Sequence, residues 1–476
     1  MTATLGACIL PVFRSSVWFP TDVRADLLDV KEFPVDIAVI GVGHVGLVTA
    51  ACLAELGHTV VGLDDDAAKI ETLHAGGVPF HEPDLLQLVE KVTASGLLRF
   101  TTDLADAIAD AEIVFVCVGT PPLPGGGPDL RFVERVAVEV AALADHELVL
   151  VEKSTVPANT GQRLTQVIAR EQTARGTDLT NVHIASNPEF LREGAAVYDT
   201  LNPDRIVYGT SSDFARDALR RVYAPLVERT GAPVVETDVN TAELIKHASN
   251  AFLATKISFI NAVANVCDIV GADVEVVAQG MGMDERIGPK FLQAGLGFGG
   301  SCFPKDVDAF LHLSRNVGYD FRLLEEVARI NAGQRDVVLS KLRDELWHLT
   351  GKTITILGAA FKPGTDDLRE APALHLARAL LEEGATVHVY DPVALPGVRR
   401  ALPDVVTFDD PLQAAAGAHA AVVATDWPEV VKLDLAGLVA ALDYPILVDG
   451  RNCLDPEAAR AAGLRYHGIG RGHLQA

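Results

Sequence analysis

A glycine-rich turn between a strand and a helix constrains the fold of this chain more than any other feature. The apolar run Asp36–Ile40 leads directly into Gly41-Val42-Gly43-His44-Val45-Gly46, which opens a helical segment reaching about Leu56. Glycines at this spacing allow a tight turn, close approach of a pyrophosphate to the backbone, and close packing of the helix on the strand. Asp64 ends the next apolar run, where a carboxylate accepts from both ribose hydroxyls and repels a 2′-phosphate. The pattern predicts a dinucleotide site that prefers NAD to NADP, with a tight turn that binds no ligand as the alternative.

Short β-rich apolar runs alternate with helical segments from Val35 onward, which is typical of parallel sheets with crossover helices. In the first half the predicted strands are Asp36–Ile40, Thr59–Leu63, Ile113–Val118, Leu148–Val151, Val182–Ala185 and Arg205–Tyr208. In the second half they are Thr353–Leu357, Thr386–Tyr390, Ala421–Ala424 and Pro445–Val448. The first turn of the second half, Gly358-Ala359-Ala360-Phe361-Lys362, lacks the glycine spacing, so this half is expected to bind something other than a dinucleotide.

A long helix is predicted between the two halves. From about Thr237 to Val270, apolar residues recur at helical intervals without proline or glycine, which indicates one helix of roughly thirty residues. This length suits a connection between domains and offers a dimer surface. Lys246 and Asn250 stand four residues apart and share one side of it, with a solvated lysine and an exposed amide as the ordinary alternative. The expected fold class is α/β, with two Rossmann-like doubly wound parallel-sheet domains joined by a long central helix.

The chain is expected to divide into four segments. Residues 1–34 contain prolines and weak periodicity, so they are expected to lie outside the core fold and to be open to disorder. Residues 35–236 are expected to form the NAD-binding Rossmann domain. Residues 237–335 are expected to form a central helical domain with the long helix, a cysteine loop and the dimer contact, and residues 345–476 a C-terminal Rossmann-like domain.

Composition and charge exclude several classes of partner. The formal charge of −24 opposes binding to nucleic acid or to an anionic membrane. No apolar run reaches the roughly 18 residues of a membrane span, and the first thirty residues lack the pattern of an export signal. The six cysteines are scattered without a CxxC pair, which argues against a disulfide framework and a structural zinc site. A cytoplasmic protein without a metal is expected.

One cysteine has a distinctive setting, the stretch Gly297-Phe298-Gly299-Gly300-Ser301-Cys302-Phe303-Pro304-Lys305-Asp306. Loop glycines give way there to a predicted helix start, whose backbone N–H groups are expected to lower the pKa of the Cys302 thiol. Pro304 suits the first turn, and Asp306 lies one turn after Cys302. A buried, inert cysteine is the commoner outcome for this residue type, but a dinucleotide site in the same chain favours a nucleophile.

Three cations follow predicted strands of the second half. Lys362 and Arg369 lie just beyond its first turn, and Arg451 follows its last predicted strand. Because ligands bind at the carboxyl ends of such strands, these residues predict an anion site, with solvated surface charges as the alternative.

These motifs occur in the order found in the UDP-glucose/GDP-mannose dehydrogenases, and from about residue 35 to 455 the chain closely resembles that family. The matching motifs are the glycine turn, Gly119-Thr120-Pro121, Lys153-Ser154-Thr155-Val156-Pro157, Asn187-Pro188-Glu189-Phe190-Leu191-Arg192-Glu193-Gly194, Lys246 with Asn250, the cysteine stretch, and Phe361-Lys362-Pro363-Gly364-Thr365-Asp366-Asp367-Leu368-Arg369. The resemblance implies a four-electron oxidation of a nucleotide sugar at its C6 alcohol, with two NAD⁺ per substrate and an enzyme-bound thioester. It makes the C-terminal half the UDP-sugar domain and favours UDP-glucose over a UDP-N-acetylhexosamine or GDP-mannose.

The resemblance also implies roles in catalysis. Cys302 would attack the aldehyde to form a thiohemiacetal and then a thioester. Lys246 and Asn250 would stabilise negative charge on oxygen, and Asp306 would move a proton near C6 and hold Lys246. The full set of implied catalytic residues is Cys302, Lys246, Asn250, Asp306, Glu189 as the base for thioester hydrolysis, and Thr155.

Recognition residues follow from the same resemblance. The implied cofactor contacts are Gly41, Val42, Gly43, His44, Val45, Gly46, Asp64, Lys69, Gly119, Thr120, Pro121, Thr155, Glu193 and Arg369. The implied substrate contacts are Glu189, Phe190, Leu191, Arg192, Lys246, Asn250, Arg286, Gln293, Gly295, Leu296, Gly297, Phe298, Gly299, Phe361, Lys362 and Arg451. Arg286 would reach the nucleotide sugar of a neighbouring subunit, which implies a homodimer or higher oligomer with a shared active site.

Two further classes of function stay open from the residues. A two-electron 3-hydroxyacid dehydrogenase shares a dinucleotide domain, a long helix and a catalytic lysine, but has no use for Cys302 or for a second α/β half. A catalytically silent binding homologue would be expected to lack one of the implied catalytic residues, and none is missing.

Overall fold

The computed structural model describes residues 34–124, 127–176 and 181–472. The predicted N-terminal extension therefore lies outside the described residues, apart from residue 34. Within the described part, the first half forms an eight-stranded sheet in the order β3-β2-β1-β4-β5-β6-β7-β8. Its strands are β1 Asp36–Ile40, β2 Thr59–Leu63, β3 Leu98–Thr101, β4 Ile113–Val116, β5 Leu148–Glu152, β6 Val182–Ser186, β7 Ile206–Thr210 and β8 Val234–Thr237.

Helices cover both faces of this sheet, and alternate residues of its central strands enter separate cores. On β1, Ile37 and Val39 pack into one core, whereas Ala38 and Ile40 pack into the core on the opposite face. Burial on both faces explains the continuous apolar strand sequences. The helices are α1 His44–Glu55, α2 Ala67–His74, α3 Leu85–Ala94, α4 Leu104–Ile108, α5 Arg131–Leu143, α6 Thr160–Ala174, α7 Ala196–Leu201 and α8 Asp213–Thr230.

The last two strands of the first sheet run in the opposite direction to the others. β6 and β7 pair antiparallel, with Ala185 opposite Thr210, and β8 then pairs parallel to β7. A parallel pair needs a crossover that carries the chain back along the sheet, usually in a helix. The connection 187–205 contains only the short α7 and stays at one end of the sheet. The sequence pattern did not reveal this reversal within the expected parallel sheet.

A central group of helices links the two halves. They are α9 Val239–Val270, α10 Val274–Gly282, α11 Phe303–Asn316 and α12 Arg322–Leu346. The predicted long helix is α9: the side chain of Asp238 accepts from the N–H of Thr241 at its start, and Gly271, at a φ of 74°, ends it. Helices α9, α11 and α12 share an apolar cluster that includes Ala254, Val307 and Val327.

Helix α9 is also, among the described residues, long and apolar enough to span a membrane by length and composition. The sequence contains no uninterrupted apolar run of that length, because Lys256, Asn261, Asn265 and Asp268 interrupt this helix. Two of its buried polar side chains are bonded inside the protein: Lys246 pairs with Glu189, and Asn261 accepts from the N–H of Gly295.

The second half forms a six-stranded parallel sheet in the order β11-β10-β9-β12-β13-β14. Its strands are β9 Thr353–Leu357, β10 Thr386–Tyr390, β11 Val406–Phe408, β12 Ala420–Val423, β13 Ile446–Asp449 and β14 Arg465–Gly468. Its helices are α13 Pro372–Glu382, α14 Leu395–Ala401, α15 Pro411–Ala415, α16 Pro428–Val431, α17 Leu435–Ala441 and α18 Pro456–Ala461. Both sheets contain the Rossmann strand order, so the predicted fold class is confirmed.

Four strands were absent from the prediction, and each lies at the edge of a sheet: β3, β8, β11 and β14. Their burial is alternating or partial, as in Leu98–Thr101, where only two of four residues are buried. Edge strands have one solvated side and need no continuous apolar run, so the pattern that revealed the central strands could not reveal these.

Candidate active site

The cysteine loop is held between the central helices and the second sheet. The N–H of Gly295 donates to Asn261 Oδ1 at 2.8 Å, and the N–H of Gly300 donates to the carbonyl of Arg369 at 2.9 Å. A side chain at Gly299 would place its Cβ 2.2 Å from the carbonyl oxygen of Glu370, so only glycine fits there. The loop ends at Cys302, immediately before α11.

Four of the implied catalytic side chains form two buried pairs beside Cys302. Lys246 Nζ lies 2.9 Å from Glu189 Oε1 and donates to the Glu189 carbonyl at 2.7 Å. Asn250 Nδ2 donates to Asp306 Oδ2 at 2.6 Å. The carboxylate partner of Lys246 is thus Glu189. The expected direct contact between Asp306 and Lys246 is not present; Lys305 pairs with Asp306 instead, at 2.8 Å.

Neighbouring charges determine the protonation states of the buried side chains in this cluster. Burial opposes the charged form of Lys246, but Glu189, Asp306 and Cys302 together raise its pKa above the ordinary value. Burial likewise favours a neutral Asp306, but Lys305 and Lys246 hold its pKa below the ordinary value. An ammonium and a carboxylate therefore coexist beside the thiol.

The expected low pKa of Cys302 is wrong for this structure. Burial raises the pKa of the thiol to about 11, and the charge of Glu189 adds to the effect, while Lys246 opposes it. Cys302 immediately precedes α11, as predicted. A helix terminus contributes about 0.3–1 kcal/mol, less than one pKa unit, so desolvation beside two carboxylates outweighs it. At neutral pH the thiol is protonated and needs a proton acceptor to become a nucleophile.

The glycine turn has the geometry that a dinucleotide requires. Gly41 has a φ of 91°, and a Cβ on Gly46 would lie 1.8 Å from the Gly41 carbonyl oxygen. A Cβ on Gly43 would meet nothing within 4 Å, which leaves room for a phosphate. Asp64 Oδ2 accepts from the N–H of Val42 at 3.0 Å, which places the carboxylate beside the turn. These residues fit a bound NAD.

The other implied cofactor residues make contacts within the first half or line a cleft between the two halves. Lys69 Nζ pairs with Asp64 at 3.2 Å, and the ring of His44 stacks on Phe80. Thr120 Oγ1 donates to the Thr155 carbonyl at 3.2 Å. Val45 is half-buried, and Gly119 and Pro121 are exposed. A cleft of about 700 Å³ runs from His44 and Phe80 to residues of the second half, including Arg369.

The implied substrate residues fall into two groups. Near Lys246, the Phe190 ring lies under the guanidinium of Arg205, 3.8 Å from its centroid, and the Leu191 N–H donates to Glu189 Oε2 at 3.0 Å. Farther out, three side chains are exposed: Arg192, which pairs with Asp199; Arg286, which pairs with Asp284; and Gln293. The loop residues Leu296, Gly297 and Phe298 are bonded to Gly450, Arg451 and Asn331 respectively.

The three cations of the predicted anion site contact groups of the protein, and the anion site itself stays a prediction. Arg451 donates to the carbonyls of Ala424, Gly297 and Phe361, so it braces loops. Arg369 pairs with Asp367 at 2.7 Å, and Lys362 lies over the ring of Phe361. Arg451 is thus bonded to backbone carbonyls and Arg369 to a carboxylate. The strand pattern of the sequence does not reveal these partners.

Several site residues were missed by the sequence reasoning. Ser301 and Lys305 lie inside the cysteine stretch but were given no role there. Glu82 accepts from the N–H groups of Gly194 and Ala196, each at 2.7 Å, and lies 2.9 Å from His44 Nε2. A single glutamate in a loop offers no sequence signal of this kind. Among residues 34–124, 127–176 and 181–472, no group of His, Cys, Asp or Glu side chains is placed to hold a metal ion.

Known proteins resemble this chain along most of its length. Three family models match in order: the NAD binding domain of the UDP-glucose/GDP-mannose dehydrogenase family at residues 35–227, its central domain at 240–333, and its UDP binding domain at 355–456. The UDP-glucose 6-dehydrogenase YwqF of Bacillus subtilis is 43% identical over 437 residues, covering 92% of this chain and 98% of its own.

Solved structures resemble the whole fold. A UDP-glucose dehydrogenase from Pyrobaculum islandicum superposes with a TM-score of 0.84 at 39% identity, covering 91% of this chain and 97% of its own. A UDP-D-ManNAc dehydrogenase from Pyrococcus horikoshii gives a TM-score of 0.81 at 27% identity, covering 92% and 99%. With its NAD-binding, central and UDP-binding domains all matched in order, the chain belongs to the UDP-glucose/GDP-mannose dehydrogenase family.

Proposed function

We propose that this protein is an NAD-dependent UDP-glucose 6-dehydrogenase, which oxidises the C6 alcohol of UDP-glucose to the carboxylate of UDP-glucuronate. The observation that carries the proposal is the position of Cys302 beside the buried pairs of Lys246 with Glu189 and Asn250 with Asp306. The curated relatives at 38–44% identity carry the name UDP-glucose 6-dehydrogenase, which supports this substrate. NAD⁺, when bound, supplies the acceptor for each of the two hydrides.

The first oxidation needs a proton acceptor near C6 and a positive charge near its oxygen. Asp306 is held ionised and accepts from Asn250 and Lys305, so it can take up the hydroxyl proton through a water molecule. The Lys246 ammonium stabilises the oxygen as it loses its proton. The product of this step is an aldehyde, whose remaining C6 hydrogen cannot leave as hydride until a nucleophile adds to the carbonyl carbon.

The second oxidation proceeds through sulfur. The Cys302 thiolate adds to the aldehyde carbon, and the resulting oxygen anion is stabilised by the Lys246 ammonium and the Asn250 amide. Loss of hydride from this thiohemiacetal leaves a thioester. Glu189, in the adjacent loop, activates a water molecule that hydrolyses the thioester and releases the thiol.

We assign the domains and assembly on the same basis. Residues 35–236 bind NAD, 237–335 carry the cysteine loop and the dimer contact, and 345–476 bind the UDP-sugar. Support for a homodimer comes from the exposed apolar side chains of α9, among them Phe252, Phe259 and Val266, which are 65%, 51% and 56% exposed. The exposed Arg286 could then reach the partner's substrate. A cytoplasmic location belongs to the same proposal.

A panel of nucleotide sugars tests the proposal. UDP-glucose, UDP-N-acetylglucosamine, UDP-N-acetylmannosamine and GDP-mannose are each incubated with the protein and excess NAD⁺, and NADH per mole of sugar is measured. We expect two NADH per UDP-glucose and far lower kcat/KM for the others. A yield of one NADH would contradict the four-electron mechanism, and a preference for an N-acetylated sugar, as in the Pyrococcus relative's name, would replace the substrate.

A further inference from the structure

The proposed mechanism leaves the proton of the Cys302 thiol without an acceptor. The two carboxylates whose charges act on this thiol are Glu189 and Asp306. Glu189 accepts from Lys246 and from the N–H of Leu191, and Asp306 accepts from Asn250 and Lys305. In the proposed mechanism each already serves another step, Asp306 with the C6 hydroxyl and Glu189 with the hydrolytic water. Neither is hydrogen-bonded to the sulfur in the described part of the chain.

Ser301 is the hydrogen-bonding neighbour of the sulfur. Its Oγ lies 3.5 Å from Cys302 Sγ, within the range of a sulfur hydrogen bond. The same Oγ donates to Glu193 Oε1 at 2.8 Å. Since the serine hydroxyl proton points to Glu193, the lone pairs of Oγ are free to accept the thiol proton. The three groups form a continuous line from sulfur to carboxylate.

Glu193 is suited to receive a proton. It is only 7% exposed, and burial, with the charge of Asp367, raises its pKa above the ordinary value. Asp367 lies close enough for its charge to act on Glu193, and Arg369 keeps it ionised although burial opposes the charge. A proton taken up by Glu193 therefore removes the repulsion between the two carboxylates.

We infer that Ser301 relays the proton of the Cys302 thiol to Glu193 when the nucleophile is formed. The inference rests on the proposed function, since it concerns the sulfur step of that reaction. The S–H bond breaks as its proton passes to Ser301 Oγ, and the original Oγ proton passes to Glu193. The sulfur electron pair forms the bond to the aldehyde carbon, and the carbonyl π electrons move to oxygen beside Lys246. No electron is gained or lost by the protein.

Charged groups surround both the proton donor, Cys302, and the proton acceptor, Glu193. Besides Asp367, the charged or titratable groups that act on Glu193 are His44, Arg369 and Lys362. Those that act on Cys302 are Glu189, Asp306, Lys246, Arg369 and Lys362. The cations in the second set stabilise the thiolate, and transfer inside the cluster leaves its total charge unchanged.

Alkylation of Cys302 tests the relay without cofactor or substrate. The full-length protein is treated with iodoacetamide from pH 5 to 11, and the rate at Cys302 is followed by mass spectrometry. If the thiol proton passes through Ser301 to ionised Glu193 as the sulfur attacks, the neutral thiol also reacts, and below the thiol pKa of about 11 the rate levels off to a pH-independent plateau. In Ser301→Ala and Glu193→Gln only the free thiolate reacts, so this plateau should vanish and the rate should change about tenfold per pH unit. A plateau retained in both variants would overturn the relay.

Two control variants distinguish loss of the proton relay from loss of the folded structure. Ser301→Thr keeps the hydroxyl and should retain the plateau. Ser314→Ala removes a buried serine of α11, the helix that follows Ser301; its Oγ donates to the Leu311 carbonyl, and the variant should behave as wild type. Should Ser301→Ala fail to fold, Glu193→Gln and Ser301→Thr still decide the question.

Single-turnover kinetics supply the second readout. With UDP-glucose and NAD⁺, Ser301→Ala should form the first NADH at nearly the wild-type rate and the second roughly 10²-fold more slowly, the usual loss on removing a proton-transfer group. A second phase of wild-type rate would contradict the relay. If the wild type itself yields one NADH, the proposed function fails, whereas the alkylation profile still decides whether Ser301 relays the proton.

Discussion

Lys246 is a lysine that remains charged although it is only 4% exposed. Its ammonium is bonded to the Glu189 carboxylate and carbonyl and is attracted by Asp306. A buried ion pair contributes little net stability, because desolvation offsets most of the attraction. Removal of one partner is costly, since the other charge is left buried and unpaired. The pair is therefore better explained by chemistry at Cys302 than by folding.

Replacement of Lys246 by alanine should affect catalysis and stability together. We expect kcat to fall about 10²–10³-fold through loss of oxyanion stabilisation, and the free energy of unfolding to fall by about 3–5 kcal/mol. Steady-state kinetics and urea unfolding measure the two effects. Lys341→Ala is the matched control, because Lys341 pairs with Asp268 at 2.8 Å in a similarly buried setting away from the cysteine loop. Lys341→Ala should lose stability but keep kcat; an unchanged kcat in Lys246→Ala would contradict the assignment.

At the scale of elements, the turn between β1 and α1 contains one glycine that the fold requires and one that cofactor binding requires. Gly46 is in contact with the carbonyl of Gly41, whereas the space around Gly43 is open. The two glycines therefore have different roles. Gly46 allows the helix to approach the strand, and Gly43 allows a phosphate to approach the backbone.

Alanine substitutions at Gly46 and Gly43 distinguish the role in folding from the role in cofactor binding. Gly46→Ala should lower the melting temperature of the ligand-free protein, because its Cβ would overlap the Gly41 carbonyl. Gly43→Ala should leave that temperature unchanged, since its φ of −73° suits alanine, but should raise the KM for NAD roughly tenfold or more. Thermal unfolding and cofactor titration measure both. Equal melting temperatures for the two variants would show that the close contact is not required.

A second element-scale feature joins α9 to α6. Glu243, near the start of α9, accepts from the N–H groups of Asn159 and Gly161 at 2.8 and 2.9 Å. It lies against the buried carboxyl of Glu152, and burial raises the pKa of Glu243 to about 7. Such a group binds a proton more tightly in the folded state than in the unfolded state.

The sign of the pH effect follows from this linkage. The folded-state pKa of Glu243 is raised above its ordinary 4.5, so its contribution to stability is complete below about pH 4.5 and is lost as pH rises through about 7. The stability difference between wild type and Glu243→Gln should therefore change across this interval and level off above it. Urea unfolding from pH 4.5 to 8.5 measures this, and a difference independent of pH would contradict a shared proton.

The whole molecule places the carboxyl ends of its two sheets around one cysteine. Glu189 follows β6 of the first sheet, and Gly450, whose carbonyl holds the cysteine loop, follows β13 of the second. Arg369 reaches across to Glu193 at 3.6 Å. Neither half contains the complete site, so cofactor and sugar nucleotide meet only when the central helices hold the halves together.

The exposed apolar side of α9 leads to a prediction at this scale. Phe259→Asp should convert the proposed dimer to a monomer in sedimentation velocity, because a carboxylate would be buried at the proposed interface. The monomer should also lose activity if Arg286 acts in the partner's site. Trp347→Asp, at a side chain 91% exposed on the end of α12, serves as a control that should remain dimeric. A wild-type monomer with full activity would refute the shared site.

Local pattern was enough to predict the central strands, the glycine turn and α9. Continuous apolar runs, glycine spacing and helical periodicity are properties of neighbouring residues, so they can be read without knowing what packs against them. The order of the family's motifs also named the residues that surround Cys302. The edge strands were missed because one solvated side leaves them without a continuous apolar run. The direction of β7 was not predictable either, since it depends on how the connection 187–205 turns at the end of the sheet.

The chemistry of the site depended on contacts between distant residues. Sequence placed Cys302 at a helix start and suggested a reactive thiol, but its pKa is raised because tertiary packing removes water and brings Glu189 near. The pairing of Lys246 with Glu189, the bracing of loops by Arg451 and the line from Cys302 through Ser301 to Glu193 arise in the same way. Sequence by itself determined which elements form and which residue types they carry. Only the tertiary structure decided their charges and partners, because desolvation and hydrogen bonding act through space rather than along the chain.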